Sequence, residues 1–244
     1  MNILDYNLID KVYGNFTSFQ EVIKTLLADV EPQRELYILE IGTGTGITTE
    51  LILESKNYIK LTTIDIDKEM IAFASQTLSS FNNVNFVVSD VLDYTKTVSN
   101  AYFDFVISGF TIHNFANDFR QEVFKEIFRI LKPNGVFINA DKFVSDNPEK
   151  QIEGLKYRLG TYIDTLVPLR KIDLLKEWVA HYIDDQKPNK LLKFDQTLND
   201  LQQIGFGKLE YIFKSELEMM GLLTATKQDA LAITGVWTQW GQMY

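Results

Sequence analysis

One glycine-rich stretch, introduced by an acidic residue, has the composition of a loop that passes close to a ligand. Glu40 stands in a short apolar segment and is followed by Gly42, Gly44 and Gly46. Glycines permit positive φ angles and let a backbone approach a bound molecule. A helix is predicted to follow, and the first N–H groups of a helix have no partner within it. The stretch therefore indicates a cofactor loop or, without a ligand, a tight strand-to-helix turn.

The spacing of the glycines argues against a dinucleotide site. The dinucleotide fingerprint needs Gly or Ala three residues after its second glycine. That position is Ile47 counted from Gly44 and Thr49 counted from Gly46, and neither residue matches.

Two more carboxylates lie at the carboxyl ends of the next two predicted strands, which span 60–66 and 84–89. Asp65 ends the first strand, and Asp90 comes just after the second. The two oxygens of a carboxylate match the vicinal hydroxyls of a ribose, and ligands of open α/β sheets bind at the carboxyl ends of strands. Asp67 has the place of a helix N-cap. For Asp65 a cap or a solvated loop residue is the alternative to ribose binding.

These motifs resemble those of the class I S-adenosylmethionine (SAM)-dependent methyltransferases, whose first motif is an acidic residue followed by Gly-x-Gly-x-Gly. The resemblance continues at 131–135, where Leu-Lys-Pro-Asn-Gly matches the family's usual Leu-Lys-Pro-Gly-Gly turn. It implies that SAM is the cofactor and S-adenosylhomocysteine the product. The residues that it assigns to the cofactor are Glu40, Gly42, Thr43, Gly44, Gly46, Asp65, Ile66, Met70, Asp90, Val91 and Ser108.

The resemblance also implies a role for the principal residues of this set. Gly42 and Gly44 pass beside the methionine part of SAM, and Glu40 supports its amino end. Asp65 binds the ribose hydroxyls, while Ile66 and Met70 flank the adenine. In the family, the residue at the place of Asp90 accepts from the adenine amino group, and the N–H of the next residue, here Val91, reaches a ring nitrogen.

Two residues are candidates for the acceptor side of the reaction. After the fourth predicted strand the chain reads Ile112-His113-Asn114, where many small-molecule methyltransferases carry Leu-His-His. An imidazole can remove a proton from a hydroxyl or amine acceptor, so His113 is a candidate general base. The alternative is a histidine that shapes the loop. Asp141, after the predicted strand at 136–140, is expected to contact substrate or to be a loop carboxylate.

Strands and helices alternate up to about residue 140, which predicts a parallel sheet with helices on both faces. The expected fold is a Rossmann-like, doubly wound, mostly parallel seven-stranded α/β sheet with a C-terminal antiparallel hairpin at 208–227. We predict a single domain over 1–244. N-terminal helices within 1–30, broken near Gly14, and a helical cap at 147–203 are expected on the substrate side, and Tyr6 and Tyr13 are candidates to close over the cofactor.

The composition is that of an acidic globular protein of 244 residues without cysteine, which excludes disulfides and thiolate metal sites; no metal site is predicted. A net charge of −9 disfavours nucleic acid as a partner. No signal peptide and no membrane span are visible, so we expect a cytoplasmic protein without a membrane partner. The resemblance implies a small-molecule substrate. The tail with Trp237 and Trp240 is expected to be either a segment docked on the domain or a homodimer contact.

Three functions remain open at this point. The preferred one is methyl transfer from SAM to an O, N or C atom of a small metabolite. The second follows from a distant resemblance in layout, around 140–143 and the helical insert, to the carboxy-SAM synthases of tRNA wobble-uridine modification, which alter SAM itself. The third is a SAM-binding subunit without catalytic activity.

Overall fold

A computed structural model describes residues 16–28, 34–55 and 58–227. Its strands are β1 (Leu36–Ile41), β2 (Ile59–Asp65), β3 (Val84–Val88), β4 (Phe103–Gly109), β5 (Leu131–Lys142), β6 (Phe206–Ser215) and β7 (Met220–Lys227). Its α-helices are α1 (Phe16–Ala28), α2 (Ile47–Ser55), α3 (Lys68–Thr77), α4 (Val91–Thr97), α5 (Asn117–Ile130), α6 (Pro148–Leu166), α7 (Ile172–Asp185) and α8 (Phe194–Ile204). A short 3-10 helix, Ile112–Asn114, follows β4.

The strands form one seven-stranded sheet in the order β3-β2-β1-β4-β5-β7-β6. β1 to β5 pair in parallel, and β7 pairs antiparallel with both β5 and β6. The predicted fold, including the C-terminal hairpin, is confirmed. Strand order reverses at β1, between β2 and β4, and the crevice at such a switch point is where open α/β sheets bind ligands.

The sheet buries both of its faces because its central strands are apolar on both sides. In β1, Ile38 packs in one hydrophobic cluster, whereas Leu39 and Ile41 pack in another on the opposite face. This is the pattern of a parallel strand covered by helices on both sides. The polar exception in β1 is Glu40, which is fully buried.

Two of the loop glycines are fixed by close packing. Gly42 has φ +87°, and a Cβ built there would lie 1.9 Å from Oγ1 of Thr111, in the segment that follows β4. Gly46 has φ +91°, and its Cβ would lie 3.2 Å from Cβ of Ala74 in α3. The loop therefore lies against both the β4 segment and the next helix.

Replacing Gly42 by alanine is expected to lower the free energy of unfolding by about 2–4 kcal/mol, because strain at positive φ adds to the clash with Thr111. Urea denaturation measures this change. Gly160→Ala is the matched control, since Gly160 lies in α6 and a Cβ there meets no described atom within 4 Å. That variant is expected to gain about 0.5–1 kcal/mol. Equal stabilities of the two variants would contradict the packing account.

Three helices, α6 to α8, occupy the segment predicted to be helical. Tyr162, Trp178 and Tyr182 form edge-to-face pairs in the core rather than an open aromatic surface. β5 is longer than predicted at both ends: the predicted turn at 131–135 lies within it, with Asn134 at φ +64°. That extension carries Asp141 into the strand.

Among the described residues, no helix is long and apolar enough to span a membrane. The predicted break near Gly14, the roles of Tyr6 and Tyr13, and the tail with Trp237 and Trp240 lie outside the described residues.

Candidate active site

Backbone hydrogen bonds hold the glycine loop against the end of β2. The amides of Gly42 and Thr43 donate to the carbonyl of Ile64 at 2.8 and 3.1 Å. The amide of Gly44 donates to Oδ2 of Asp65 at 2.9 Å. A Cβ on Gly44 would meet no described atom within 4 Å, although its φ is +50°. The loop thus leaves open space beside Gly44.

Glu40 is a buried carboxyl group with one oxygen bonded and one free of described partners. Its Oε2 accepts from the hydroxyls of Thr49 and Thr63, each at 2.6 Å. Oγ1 of Thr63 also lies 2.6 Å from Oγ1 of Thr43 in the loop. Burial raises the pKa of Glu40 to about 7, although the two threonine hydroxyls act to lower it. Its Oε1 has no hydrogen-bond partner within the described part of the chain, which leaves that oxygen for a donor or a cation.

Asp65 connects the end of β2 to the glycine loop. Besides accepting from Gly44, it accepts from the amide of Asp67 through Oδ1 at 2.9 Å. Asp67 accepts from the amides of Glu69 and Met70 and caps α3, so its predicted N-cap role is confirmed. Asp65 lies at the sheet edge where the sequence predicts it, and its two oxygens hold backbone amides.

The residues predicted to surround adenine lie at the ends of β2 and β3. Ile66 is 73% exposed, and Met70 is partly buried in α3. Asp90 caps α4, because its Oδ1 accepts from the amides of Leu92 and Asp93. Val91 is therefore the first residue of α4, where an amide has no partner within the helix. The capping function of Asp90 was not predicted.

Ser108, which the resemblance assigns to the cofactor, is fully buried within β4. Its hydroxyl has no hydrogen-bond partner among the described residues. Asn139, its neighbour across the β4–β5 register, is equally buried, and its side-chain amide has no described partner either. The cofactor role of Ser108 therefore stays a prediction.

His113 is held in place by Asp141. Its Nδ1 lies 2.6 Å from Oδ1 of Asp141, and its backbone amide donates to Oδ2 at 3.1 Å. Asp141 also accepts from the amide of Lys142 at 2.8 Å. A carboxylate can only accept here, so Nδ1 of His113 donates its N–H to Asp141 and the lone pair of the neutral imidazole lies on Nε2.

The structure corrects the predictions for Asp141. The prediction that Asp141 lies in a loop is wrong, because β5 continues to Lys142. Direct contact with substrate is not supported, since the side chain is 0% exposed and bonded to His113. In the structure Asp141 holds both the ring and the backbone of His113.

The sequence motifs do not identify a second group of polar side chains that lies beside His113. Nε2 of His113 lies 3.9 Å and Nε2 of His181 lies 3.6 Å from the same atom, Oδ2 of Asp185. Nζ of Lys142 lies 3.3 Å from it. Burial, followed by the charge of Lys142, lowers the pKa of His181. The sequence does contain one signal for this group: His181 and Asp185 are four residues apart in α7, and residues at that spacing share a helix face.

A small cavity opens at this group. Its lining includes His113, Lys142, Tyr182, Asp185 and Lys190. Thr111, which contacts the glycine loop at Gly42, stands two residues before His113. The cavity and the glycine loop are therefore connected through one short segment after β4.

Comparisons with known proteins agree with this geometry. Residues 38–135 match the model of a family described as a methyltransferase domain. A malonyl-[acyl-carrier protein] O-methyltransferase of Marinomonas sp. (strain MWYL1) is 28% identical over 138 residues, which cover 56% of this chain and 50% of that protein. A carboxy-S-adenosyl-L-methionine synthase of Nautilia profundicola is 23% identical over 197 residues, covering 80% of this chain and 77% of that protein.

The matched segment contains the glycine loop, Asp65, Asp90 and His113. Residues 38–135 form a methyltransferase domain, similar in sequence to SAM-dependent methyltransferases. The structure of the CurJ carbon methyltransferase shares the fold of this methyltransferase domain, with a TM-score of 0.65 at 17% identity over 93% of this chain and 58% of that one. The chain spans half the length of the Marinomonas relative.

The residues of the methyltransferase domain fit SAM. Gly44 borders open space. Oε1 of Glu40 is buried and has no partner among the described residues, so it can accept a hydrogen bond from the amino group of SAM. Ile66 offers an exposed apolar surface next to Asp65. The assignment of individual residues to parts of SAM remains a prediction.

Proposed function

We propose that this protein transfers the methyl group of SAM to an O, N or C atom of a small molecule that binds beside His113. The observation that carries the proposal is the His113–Asp141 pair. Asp141 holds Nδ1, and His113 lines the cavity on the segment that contacts the glycine loop. Bound SAM supplies an electrophilic methyl group on a sulfonium. The sequence similarity to SAM-dependent methyltransferases supports this choice of reaction.

The chain contributes alignment and a proton acceptor. Methyl transfer is an in-line displacement, in which the acceptor atom gains the methyl carbon and the carbon–sulfur bond breaks. Alignment of the two reactants can account for about 7–11 kcal/mol of the barrier. Where the acceptor carries a proton, the lone pair on Nε2 of His113 can take it. Acidic side chains and the net charge of −9 favour a small molecule over nucleic acid.

Asp65→Ala is expected to weaken SAM binding by about 10- to 100-fold, because a carboxylate that accepts from two ribose hydroxyls contributes about 1.5–3 kcal/mol. Isothermal titration calorimetry measures the affinity. Asp67→Ala is the matched control: it removes the N-cap of α3 and costs about 1 kcal/mol of stability, with SAM affinity retained. Absence of SAM binding by the intact protein would overturn the proposed function. Release of S-adenosylhomocysteine in the presence of an acceptor then tests transfer.

A carboxy-SAM synthase type of activity is the second candidate. The Nautilia relative, for which the match covers 77% of its length, favours it. Mass spectrometry of the cofactor that co-purifies with the protein distinguishes the two activities, because a carboxylated SAM is heavier than SAM. A third possibility, a SAM-binding subunit without activity, predicts binding without turnover.

Three further features belong to the same proposal. We expect a single functional domain, with α1 and α6–α8 on the substrate side. We also expect a cytoplasmic location and a homodimer formed through the tail that carries Trp237 and Trp240. Light scattering of the full chain and of a variant with both tryptophans replaced by serine tests the dimer.

A further inference from the structure

Three electron-pair donors converge on one point beside the cavity. His113, His181 and Asp185 each offer one ligand atom, and these atoms lie within 4.8 Å of one another. Nε2 of His113 lies 3.9 Å and Nε2 of His181 lies 3.6 Å from Oδ2 of Asp185. The bond between Nδ1 of His113 and Asp141 directs the lone pair of His113 towards this point. Lone pairs that face one another repel unless a proton or a cation lies between them. The arrangement therefore favours a positive charge at its centre.

Asp185 gives an independent indication of a missing partner. It is 7% exposed at the end of α7, and its Oδ1 is buried without a hydrogen-bond partner among the described residues. A buried carboxylate oxygen without a donor is costly. Lys142 lies near the other oxygen, Oδ2, at 3.3 Å and leaves Oδ1 unsatisfied.

The surroundings match those of protein metal sites. Metal-binding histidines usually donate their second ring N–H to a carboxylate, as His113 does to Asp141. His181 is exposed, with 56% of its side chain accessible, and provides a path for an ion to enter. In contrast, His113 and Asp185 are buried and fixed.

We propose that His113, His181 and Asp185 bind a divalent transition-metal ion. Two imidazoles and one carboxylate suit Zn²⁺, Co²⁺, Mn²⁺ or Fe²⁺ and leave coordination positions open. Ligand distances of about 2.1 Å separate neighbouring ligand atoms by about 3.4 Å. The observed separations of 3.6 and 3.9 Å from Asp185 need only small side-chain movements. The ion displaces the ammonium of Lys142 from Oδ2, and bidentate binding by the carboxylate also gives Oδ1 the partner that it lacks.

If the proposed methyl transfer holds, this ion also defines the acceptor class. Open positions on the metal bind an acceptor with two adjacent oxygens, such as a hydroxy-acid, a catechol or a β-dicarbonyl. Coordination lowers the pKa of a hydroxyl or enol, so the acceptor releases its proton to solvent. In the metal-loaded protein, Nε2 of His113 is then a ligand rather than a proton acceptor.

The test uses the full chain without a histidine tag, stripped of metal by a chelator and titrated with Co²⁺. The expected result is one equivalent bound, with the visible absorption of nitrogen-coordinated Co²⁺. His181→Gln and Asp185→Asn should each weaken Co²⁺ binding by at least about 100-fold. Asp184→Asn is the matched control on the same helix, since Asp184 pairs with Lys187 and Lys190, and it should bind as the unchanged protein does.

Lys142→Met separates the metal from the lysine as the partner of Asp185. Removal of the competing ammonium should tighten Co²⁺ binding by about tenfold. Wild-type protein that binds no Co²⁺, or variants that bind it as tightly as wild type, would overturn the metal site. SAM titration of the same samples distinguishes the two proposals. Wild-type protein that binds SAM but no metal ion refutes only the metal site. Wild-type protein that does not bind SAM refutes the proposed function.

Discussion

Replacing Glu40 by glutamine is expected to stabilise the protein at pH 8 and to weaken its binding of SAM. Burial raises the pKa of Glu40 in the folded protein to about 7, from an ordinary value of 4.5. Between these two values the folded protein keeps the proton and the unfolded chain has lost it. Stability therefore falls as pH rises from 4.5 to about 7, and the full loss is present above pH 7.

The expected size of this effect is large for one side chain. A pKa difference of this size corresponds to about 3 kcal/mol, and glutamine, which carries no charge at any pH, avoids it. The melting temperature of Glu40→Gln should exceed that of wild type by about 6–12 °C at pH 8. At pH 4.5 the two proteins should have the same melting temperature. Glu50→Gln, at an exposed position in α2, is the control and should differ at neither pH.

The same substitution should separate stability from cofactor binding. An ionised Glu40 can pair with the amino group of SAM through Oε1, which has no partner among the described residues. SAM binding at pH 6 should then release a proton from Glu40, and calorimetry in buffers of different ionisation enthalpy detects that release. Glu40→Gln should release none and bind SAM about 10- to 100-fold more weakly. Equal affinity and equal melting temperatures at pH 8 would contradict both parts of this prediction.

Local signals explain which parts of the structure could be predicted. The glycine loop, Asp65 and the cap at Asp67 lie within one β1–α2–β2–α3 stretch, where turn chemistry and periodicity act over a few residues. The parallel pairing of β1 to β5 follows from the alternation of strands and helices. The ends of β5 were placed less well, because its first residues enter the sheet through a register shift opposite Phe103 and Phe105.

The acceptor side could be predicted only in part. A motif identifies His113, but its bond to Asp141 depends on the register of β4 and β5 and on the 3-10 helix that follows β4. Asp185 approaches His113 because the last residue of α7 lies beside Lys142 at the end of β5. No local pattern specifies that packing. The i,i+4 spacing of His181 and Asp185 predicts that they share a face, and not what that face meets.

Asp141→Asn is expected to lower turnover by about 10²- to 10⁴-fold while leaving SAM affinity within about twofold. With its oxygen in the place of Oδ2, an asparagine still accepts from the amide of His113. Its NH₂ group then stands in the place of Oδ1, where it faces Nδ1 of His113 and can no longer accept from the amide of Lys142. The imidazole then carries its proton on Nε2, which faces the cavity. Nitrogen-15 NMR of the histidine rings reports this tautomer directly.

Asp104→Asn is the matched control for a buried aspartate. Asp104 also accepts from a backbone amide, that of Tyr37, and from Arg34 and Lys132, yet it stands at the opposite end of β4 from His113. Asp104→Asn should be less stable than wild type and keep its turnover. Asp141→Asn should lose turnover even under conditions in which it stays folded. Equal turnover of the two variants would show that the tautomer of His113 has no part in the reaction. A loss specific to Asp141→Asn fits both roles of Nε2, since a protonated nitrogen can neither accept a proton nor bind a metal ion.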